Sequence, residues 1–138
     1  MCGISGQFNF NESKIDKQNF EVLNNSLTHR GPDNGSVKVF NNVALGHRRL
    51  SIIDLSESAN QPMSCKNDRY FIVFNGEVYN FFEIKKELKT SGVEFDTKSD
   101  TEVLLNAYIH YGDKCFSMFN GMFALAIFDN FKKELILA

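Results

Sequence analysis

Cysteine at position 2 carries the first chemistry that the sequence suggests. Removal of Met1 by a methionine aminopeptidase, which acts when the next residue is small, would leave Cys2 with both a thiol and a free α-amine. The thiol is a nucleophile, and an α-amine with an ordinary pKa of about 7.7–8.0 can accept its proton near neutral pH. We therefore predict that Cys2 attacks a carbonyl carbon without a catalytic histidine. A cysteine near a terminus is otherwise a small buried apolar residue, so other residues must support this role.

Other side chains could bind the carboxylate and the ammonium group of an α-amino acid substrate. The side chain of Asn75 and the N–H of Gly76 could stabilise an oxyanion, although Asn-Gly is also common in ordinary turns. Arg49 could bind a carboxylate through two parallel hydrogen bonds, and Arg48 beside it could do so equally well. Asp100 could bind an ammonium group, or it could simply begin a helix. Residue types and spacing alone do not choose among these alternatives.

Composition and charge limit the classes of function that the protein can have. The chain has 138 residues, of which 43% are hydrophobic, and a formal net charge of -2. These numbers suit one domain with one core, and the absence of a Lys or Arg run argues against nucleic acid or an anionic membrane as a partner. We see no signal peptide and no uninterrupted apolar run of about 18 residues. Cys2, Cys65 and Cys115 stand far apart, which argues against disulfides and a zinc site, so we expect a reducing cytoplasm.

Apolar periodicity predicts alternating strands and helices that must position these groups. We expect strands at 3–10, 36–40, 43–50, 70–74, 122–128 and 134–137 and helices at 16–27 and 81–91. A third helix should begin at Ser99, with Glu102 completing a capping box, and end at Gly112. Asn41 and Asn42 predict a tight hairpin, Gly92 a left-handed helix end, and residues 55–68 a long surface loop.

Several short motifs, in order, resemble one family. They are Cys-Gly-Ile-Ser-Gly at 2–6, His-Arg-Gly-Pro-Asp at 29–33, Leu-Ser-Ile-Ile-Asp-Leu at 50–55, Asn-Gln-Pro-Met at 60–63, Phe-Asn-Gly-Glu-Val-Tyr-Asn at 74–80, Ser-Asp-Thr-Glu at 99–102 and Asn-Gly-Met-Phe-Ala at 120–124. This series resembles the class II glutamine amidotransferases of the N-terminal nucleophile hydrolase type, and within them the asparagine synthetase branch. The resemblance implies an α+β fold, a four-layer αββα sandwich.

The resemblance also implies roles for individual residues. Cys2 would be the nucleophile, and the Asn75 side chain with the Gly76 N–H would form the oxyanion hole. Arg49 would hold the glutamine carboxylate, and Asp100 would lie near its ammonium group. The glutamine pocket would be completed by Glu77 and by the backbone of Leu50, Ser51, Ile52 and Ile53. Glutamine would then be cleaved to glutamate and ammonia through a γ-glutamyl thioester, with no metal or cofactor.

Glutaminase domains of this family continue past position 138, and their parent enzymes carry an ATP-using synthetase domain. We therefore expect residues 1–138 to be a glutaminase domain incomplete at its C-terminus, whose partners are glutamine, the synthetase domain of a parent chain and a second copy in a homodimer. ATP and Mg²⁺ would be needed only by the synthetase domain.

Two alternatives to this interpretation are open. One is a non-catalytic glutamine-binding or scaffold module, and the other is the glutaminase part of an enzyme that amidates a sugar or a peptide. Cys65, Cys115, His47 and His110 are expected to have no special role.

Overall fold

A computed structural model describes residues 2–51, 56–65 and 68–138. Predictions that concern residues 52–55 and 66–67 therefore lie outside the described residues. The strands are β1 Gly3–Phe8, β2 Asn34–Phe40, β3 Val43–Arg49, β4 Met63–Ser64, β5 Tyr70–Val78, β6 Gly121–Asp129 and β7 Glu134–Leu137. The helices are α1 Lys17–Asn25, α2 Phe81–Thr90 and α3 Asp100–Tyr111, and 3-10 turns lie at Glu57–Ala59 and Gly112–Met118. No helix in these ranges is long and apolar enough to span a bilayer.

These elements form four layers. An antiparallel sheet with the order β1-β3-β2 packs against a second antiparallel sheet with the order β4-β5-β6-β7. Helix α1 covers the outer face of the first sheet, and α3 packs on the outer face of the second with α2 beside it. The expected α+β sandwich of αββα type is therefore confirmed.

Alternation along β5 explains how one strand serves two cores. Phe71 and Val73 point toward the first sheet, whereas Ile72 and Phe74 point toward the helices, as the two-residue period of a strand requires. The core between the sheets also contains Val43, Leu45, Ala126 and Phe128. The core beneath the helices contains, among others, Ile84, Leu88, Val103, Leu104, Leu105, Leu125 and Ile127. All of these side chains are buried, so the sheets are held by apolar burial on both faces of β5 and β6.

Most element predictions are confirmed within two residues at each end, and local signals explain why. The Asp16 carboxylate accepts the N–H of Asn19 at 2.8 Å and so caps α1. Asn41 has φ 61° in the β2–β3 hairpin, and Gly92 has φ +85° after α2. Both residues tolerate this left-handed backbone, which is the property on which the predictions rested.

Three predictions of local structure are wrong. The strand predicted at 70–74 does not end there, because β5 continues through Asn75 and Gly76 to Val78 and pairs these two residues with Ala124 and Phe123 of β6. Pairing with a neighbouring strand overrides the turn preference of Asn-Gly.

The capping box is also not formed. Ser99 caps Thr101, whereas the Glu102 carboxylate accepts the N–H groups of Asp96 and Thr97. The segment 55–68, predicted to be a long surface loop, contains a 3-10 turn at Glu57–Ala59 and the short strand β4 among its described residues.

An ion pair closes the end of the second sheet. The guanidinium of Arg69 donates to the Asp129 carboxylate at 2.9 Å, and the Asp129 side chain is almost fully buried. Burial by itself raises the pKa of Asp129, but the Arg69 bond and the N–H groups of Lys132 and Phe131 outweigh it and lower the pKa from 3.8 to about 2. The carboxylate therefore stabilises the fold in its charged form.

We expect Asp129→Asn to destabilise the protein at neutral pH by about 2 kcal/mol, because it leaves the guanidinium without its charged partner. Since the folded pKa is depressed, the stabilisation is present above pH 3.8 and is lost as the pH falls toward about 2. The difference between wild type and variant in urea denaturation should therefore shrink across that interval. Lys132→Gln is the matched control, because it breaks an exposed pair with Glu134 at 3.9 Å and should cost less than about 0.5 kcal/mol. Equal losses in the two variants would contradict this account.

Candidate active site

A cavity of about 230 Å³ opens between the two sheets, at the end where β3 and β5 approach the start of α3. This volume is slightly below the roughly 300–1,000 Å³ typical of pockets for drug-sized ligands, so it suits a small substrate. Among the residues that the structure describes, fifteen line it: Cys2, His47, Arg49, Leu50, Ala59, Gln61, Phe74, Asn75, Gly76, Glu77, Tyr79, Ser99, Asp100, Thr101 and Met122. The cavity thus brings together most of the residues predicted from the sequence.

Cys2 is held at the cavity by β1 and by the residue that follows β3. The β1–β3 register pairs Gly3 with Arg48, which brings the preceding residue, Cys2, level with the end of β3. The N–H of Leu50 donates to the Cys2 Sγ at 3.4 Å, and Sγ lies 3.7 Å from the Leu50 carbonyl oxygen. The Arg30 Nε donates to the Cys2 carbonyl at 3.0 Å. Both the thiol and the backbone of Cys2 are therefore fixed by neighbouring groups.

The loop at 29–33 supports this arrangement from the side. The Asp33 N–H donates to the Arg49 carbonyl at 3.0 Å, and the Asp33 carboxylate accepts the Ser51 N–H at 2.7 Å. Gly31 lies so close to the backbone of Arg48 that a Cβ atom there would collide with it. The loop therefore braces the end of β3.

This bracing also fixes the surroundings of the residues just after β3. The N–H of Ser51, predicted to contribute to the pocket, is directed to Asp33, and Ser51 does not line the cavity. Ile52 and Ile53, predicted to contribute backbone to the pocket, lie outside the described residues.

Arg48 and Arg49 point in opposite directions, as neighbours on a strand must. Arg48 donates to the Gly31 carbonyl at 3.1 Å, outside the cavity. Arg49 is 7% exposed and lines the cavity, and its Nη1 donates to the Ser56 carbonyl at 2.8 Å and to the Asn60 side chain at 2.7 Å. Strand geometry thus places Arg49, and not Arg48, at the cavity.

Strand β5 contributes Asn75, Gly76 and Glu77 to the cavity. The Asn75 Oδ1 atom is buried and has no hydrogen-bond partner. Gly76 has φ +141°, and a Cβ atom at this position would collide with the backbone of Met122 and Phe123 on β6. A buried amide oxygen without a partner is costly, so this atom is a natural point of contact for a ligand.

Asp100, the first residue of α3, places a buried carboxylate in the cavity. Its Oδ1 accepts the N–H of Thr101 at 2.8 Å, whereas its Oδ2 has no hydrogen-bond partner. Burial raises the pKa of Asp100, and the charge of Glu77 raises it further, against the bonds from Thr101 and from its own backbone N–H. A cationic group bound at Oδ2 would satisfy this atom and favour the charged form.

His47 was predicted to be an ordinary residue, yet it lines the cavity. It is 1% exposed, and its Nε2 has no partner. Burial lowers the pKa of His47 from 6.5 to about 4. The charge of Arg49 also lowers this pKa, whereas a hydrogen bond with the Phe74 backbone raises it. The imidazole is therefore neutral at pH 7. Its position two residues before Arg49 on β3 puts it on the same face of that strand, and this spacing is the signal that could have identified it.

Sequence reasoning also missed a buried glutamine and two exposed residues at the cavity rim. Gln61 is buried and connects β5 to α3 through its side-chain amide. Tyr79 and Met122 are exposed but also line the cavity. Both rim residues belong to motifs quoted above, but nothing in the sequence says that they reach the same opening.

These groups combine a thiol, a guanidinium, a carboxylate and an amide in one small cavity. Among the residues that the structure describes, no group of three or more metal-ligating side chains is found. A guanidinium recognises a carboxylate and a carboxylate recognises an ammonium group, so the cavity has the two charges that an α-amino acid requires. The thiol and the amide supply a nucleophile and a polar contact for a carbonyl group.

Sequence comparisons identify relatives along the whole chain. The model of the glutamine amidotransferase domain family matches residues 1–138. The chain is 41% identical to asparagine synthetase [glutamine-hydrolyzing] 3 of Bacillus subtilis, over 100% of this chain and 23% of that protein. It is 39% identical to a putative asparagine synthetase [glutamine-hydrolyzing] 2 of Methanocaldococcus jannaschii, over 99% of this chain and 29% of that protein. The chain thus spans less than a third of the length of these relatives.

Comparison with solved structures agrees at the level of the fold. The glutamine phosphoribosylpyrophosphate amidotransferase of B. subtilis, solved with ADP and GMP, superposes with a TM-score of 0.80 at 22% identity, over 100% of this chain and 37% of that one. A second structure, described as the allosteric regulatory enzyme of purine biosynthesis, gives a TM-score of 0.69 at 21% identity, over 92% of this chain and 35% of that one. The predicted fold of the N-terminal nucleophile hydrolase type is confirmed.

We expect Gly76→Ala to destabilise the protein by about 3 kcal/mol or more, because alanine both resists the positive φ and collides with β6. Gly92→Ala is the matched control, since Gly92 also has a positive φ but has nothing within 4 Å of the added methyl group. That variant should lose only about 1 kcal/mol. Thermal and urea denaturation of both variants measure the difference. Similar losses would mean that the close approach of β6 at Gly76 is unimportant.

Proposed function

Because the chain belongs to the glutamine amidotransferase domain family, we propose that it hydrolyses the side-chain amide of glutamine to glutamate and ammonia. One observation carries this proposal. Asn75 Oδ1 and Asp100 Oδ2 are buried acceptors without partners, and both residues line the cavity that contains the Cys2 thiol and Arg49. An α-amino acid with a terminal amide offers a partner for each of these groups.

Recognition of glutamine rests on the two charged residues. The Arg49 guanidinium, oriented by Ser56 and Asn60, binds the α-carboxylate, and Asp100 Oδ2 accepts from the α-ammonium group. Leu50 and Glu77, which also line the cavity, complete the pocket in this proposal. With both ends of the amino acid held, the side-chain amide is directed toward Cys2.

The first half of the reaction forms a thioester. After Met1 is removed, the α-amine of Cys2 takes the thiol proton, and the sulfur attacks the amide carbon of glutamine. The negative charge that develops on the amide oxygen is stabilised by two donors, the Asn75 Nδ2–H and the Gly76 N–H. The carbon–nitrogen bond then breaks, and the leaving nitrogen takes the proton from the α-amine and departs as ammonia.

The second half of the reaction releases glutamate. A water molecule gives a proton to the α-amine and attacks the thioester carbon, again through an oxyanion at the same two donors. The carbon–sulfur bond breaks, and the proton returns to the sulfur. This cycle requires no metal ion and no cofactor, because the nucleophile and the base belong to one residue.

The ammonia would serve an asparagine-synthetase-like amidation in asparagine biosynthesis. The relatives named above as glutamine-hydrolyzing asparagine synthetases support this role. We propose that an ATP-using synthetase domain is the partner that receives the ammonia and that the protein works as a homodimer. The cytoplasm is the proposed location, because a free reactive thiol persists in a reducing compartment.

Replacement of Cys2 tests the proposed function directly. Processed protein lacking Met1, as verified by mass spectrometry, should release glutamate from glutamine. Cys2→Ala should lower kcat by roughly a thousandfold or more, because the nucleophile is removed. Cys65→Ala, a thiol that does not line the cavity, should retain wild-type activity. If a folded Cys2→Ala protein hydrolysed glutamine normally, the proposal would be wrong. If processed wild type bound glutamine without turnover, a binding module would be the better description.

The paired arginines test how the substrate is recognised. We expect Arg49→Lys to raise KM for glutamine by about ten- to a hundredfold, because lysine cannot make two parallel bonds to the carboxylate. Arg48→Lys changes the same chemistry one residue away, on the opposite face of β3, and should leave KM nearly unchanged. Steady-state kinetics of the two variants provide the comparison. An effect on KM that is larger for Arg48→Lys would exclude the assigned role of Arg49.

A further inference from the structure

Gln61 lies where two walls of the cavity meet. Its side-chain oxygen accepts the N–H of Phe74 on β5 at 2.6 Å. Its side-chain nitrogen donates to the Thr101 hydroxyl on α3 at 3.1 Å. The side chain is 6% exposed, so both bonds are shielded from water. One amide therefore joins the strand that carries Asn75 to the helix that begins with Asp100.

The bond to Phe74 compensates for the short length of β4. That strand contains only Met63 and Ser64, and its register pairs Met63 with Ile72. If β4 extended two residues toward its N-terminal side, the same register would place Gln61 opposite Phe74. The backbone carbonyl of Gln61 would then accept the Phe74 N–H. A buried backbone N–H needs a partner, and here the side chain of Gln61 supplies it. The backbone immediately before Asn75 is fixed in this way.

The bond to Thr101 acts on the opposite wall. Thr101 follows Asp100, its N–H donates to Asp100 Oδ1 at 2.8 Å, and its hydroxyl lies 3.5 Å from the same oxygen. Gln61 itself is held in place because the Ser36 hydroxyl on β2 donates to its carbonyl at 2.6 Å. Gln61 is thus fixed to the first sheet while it contacts both walls.

We propose that Gln61 is a positioning residue that sets the separation between Asn75 and Asp100. This separation determines how long the side chain of a bound amino acid substrate can be. This inference rests on the proposed function. The side chain of Gln61 can fix both walls because its one amide accepts from the Phe74 N–H and donates to the Thr101 hydroxyl. Methionine has a similar length but offers neither bond, and glutamate keeps only the acceptor.

The two bonds can be tested separately by steady-state kinetics. Gln61→Met should raise KM for glutamine and lower kcat by about tenfold each, because it releases both walls. Gln61→Glu should restore kcat to near the wild-type value, because the acceptor for Phe74 is kept. Thr101→Val should raise KM about fivefold with kcat within about twofold, because it releases the Asp100 wall alone. Gln18→Met, at an exposed position of α1, should match wild type.

A double-variant cycle adds a further condition. If Gln61 acts on Asp100 through Thr101, adding Thr101→Val to Gln61→Met should raise KM no further. Full additivity of the two effects on KM, or no rescue of kcat by Gln61→Glu, would overturn the inference.

Amide exchange measured by NMR tests the same contacts without any turnover. The Phe74 amide should exchange about tenfold faster in Gln61→Met than in wild type, with little change in Gln61→Glu or Gln18→Met. If wild type failed to hydrolyse glutamine, the proposed function would fail, and this exchange result would still decide whether Gln61 fixes β5. An unchanged Phe74 amide in Gln61→Met would refute the positioning role by itself.

Discussion

The antiparallel pairing of β1 with β3 is the constraint on which the rest of the site depends. It brings Cys2 level with the end of β3, where the backbone of Leu50 contacts the sulfur. The same strand directs His47 and Arg49 into the cavity, because alternate residues share a face. A shift of this pairing by one residue would bring the opposite face of β1 and a different neighbour to the thiol, so the register is part of the chemistry.

The cavity is polar at a cost to the fold. Buried acceptors without partners, such as Asn75 Oδ1 and Asp100 Oδ2, each cost about 1–3 kcal/mol relative to paired ones. Apolar cores on both faces of the second sheet offset this cost, since nearly all of their side chains are removed from water. A ligand that donates hydrogen bonds to these two oxygens recovers this free energy on binding. The cavity therefore favours ligand affinity at the expense of stability, and the apolar cores restore the stability.

Much of the fold could be predicted from the sequence, because apolar periodicity and turn residues act locally. The helix ends at Asp16 and Gly92 are examples, since each depends on one residue's own preferences. The continuation of β5 through Asn75 and Gly76 could not be predicted in this way, because it is decided by pairing with residues of β6 that lie 49 and 47 positions away in the chain. The separate directions of Arg48 and Arg49 likewise require knowledge of which face of β3 is covered.

The residues of the site also differ in whether local sequence or long-range contacts reveal them. Chemistry and motif resemblance predict five site residues that the structure brings to one cavity: Cys2, Arg49, Asn75, Gly76 and Asp100. His47 and Gln61 were missed, because their surroundings are created by long-range contacts. Nothing local to Gln61 indicates that its amide will contact both Phe74 and Thr101. Residues that position others are harder to recognise from sequence than residues that carry chemistry.

The ion pair of Arg69 with Asp129 lies at the far end of the strand that forms the cavity wall. Tyr70 of β5 pairs with Asp129. Gly76, which faces the cavity, follows Tyr70 by six residues, so at 3.4 Å per residue the two positions are about 20 Å apart. Substitutions separated by more than about 10 Å usually contribute independently. An engineer could therefore raise or lower thermal tolerance at that end of the sheet, and select variants there freely, while leaving turnover at the opposite end untouched.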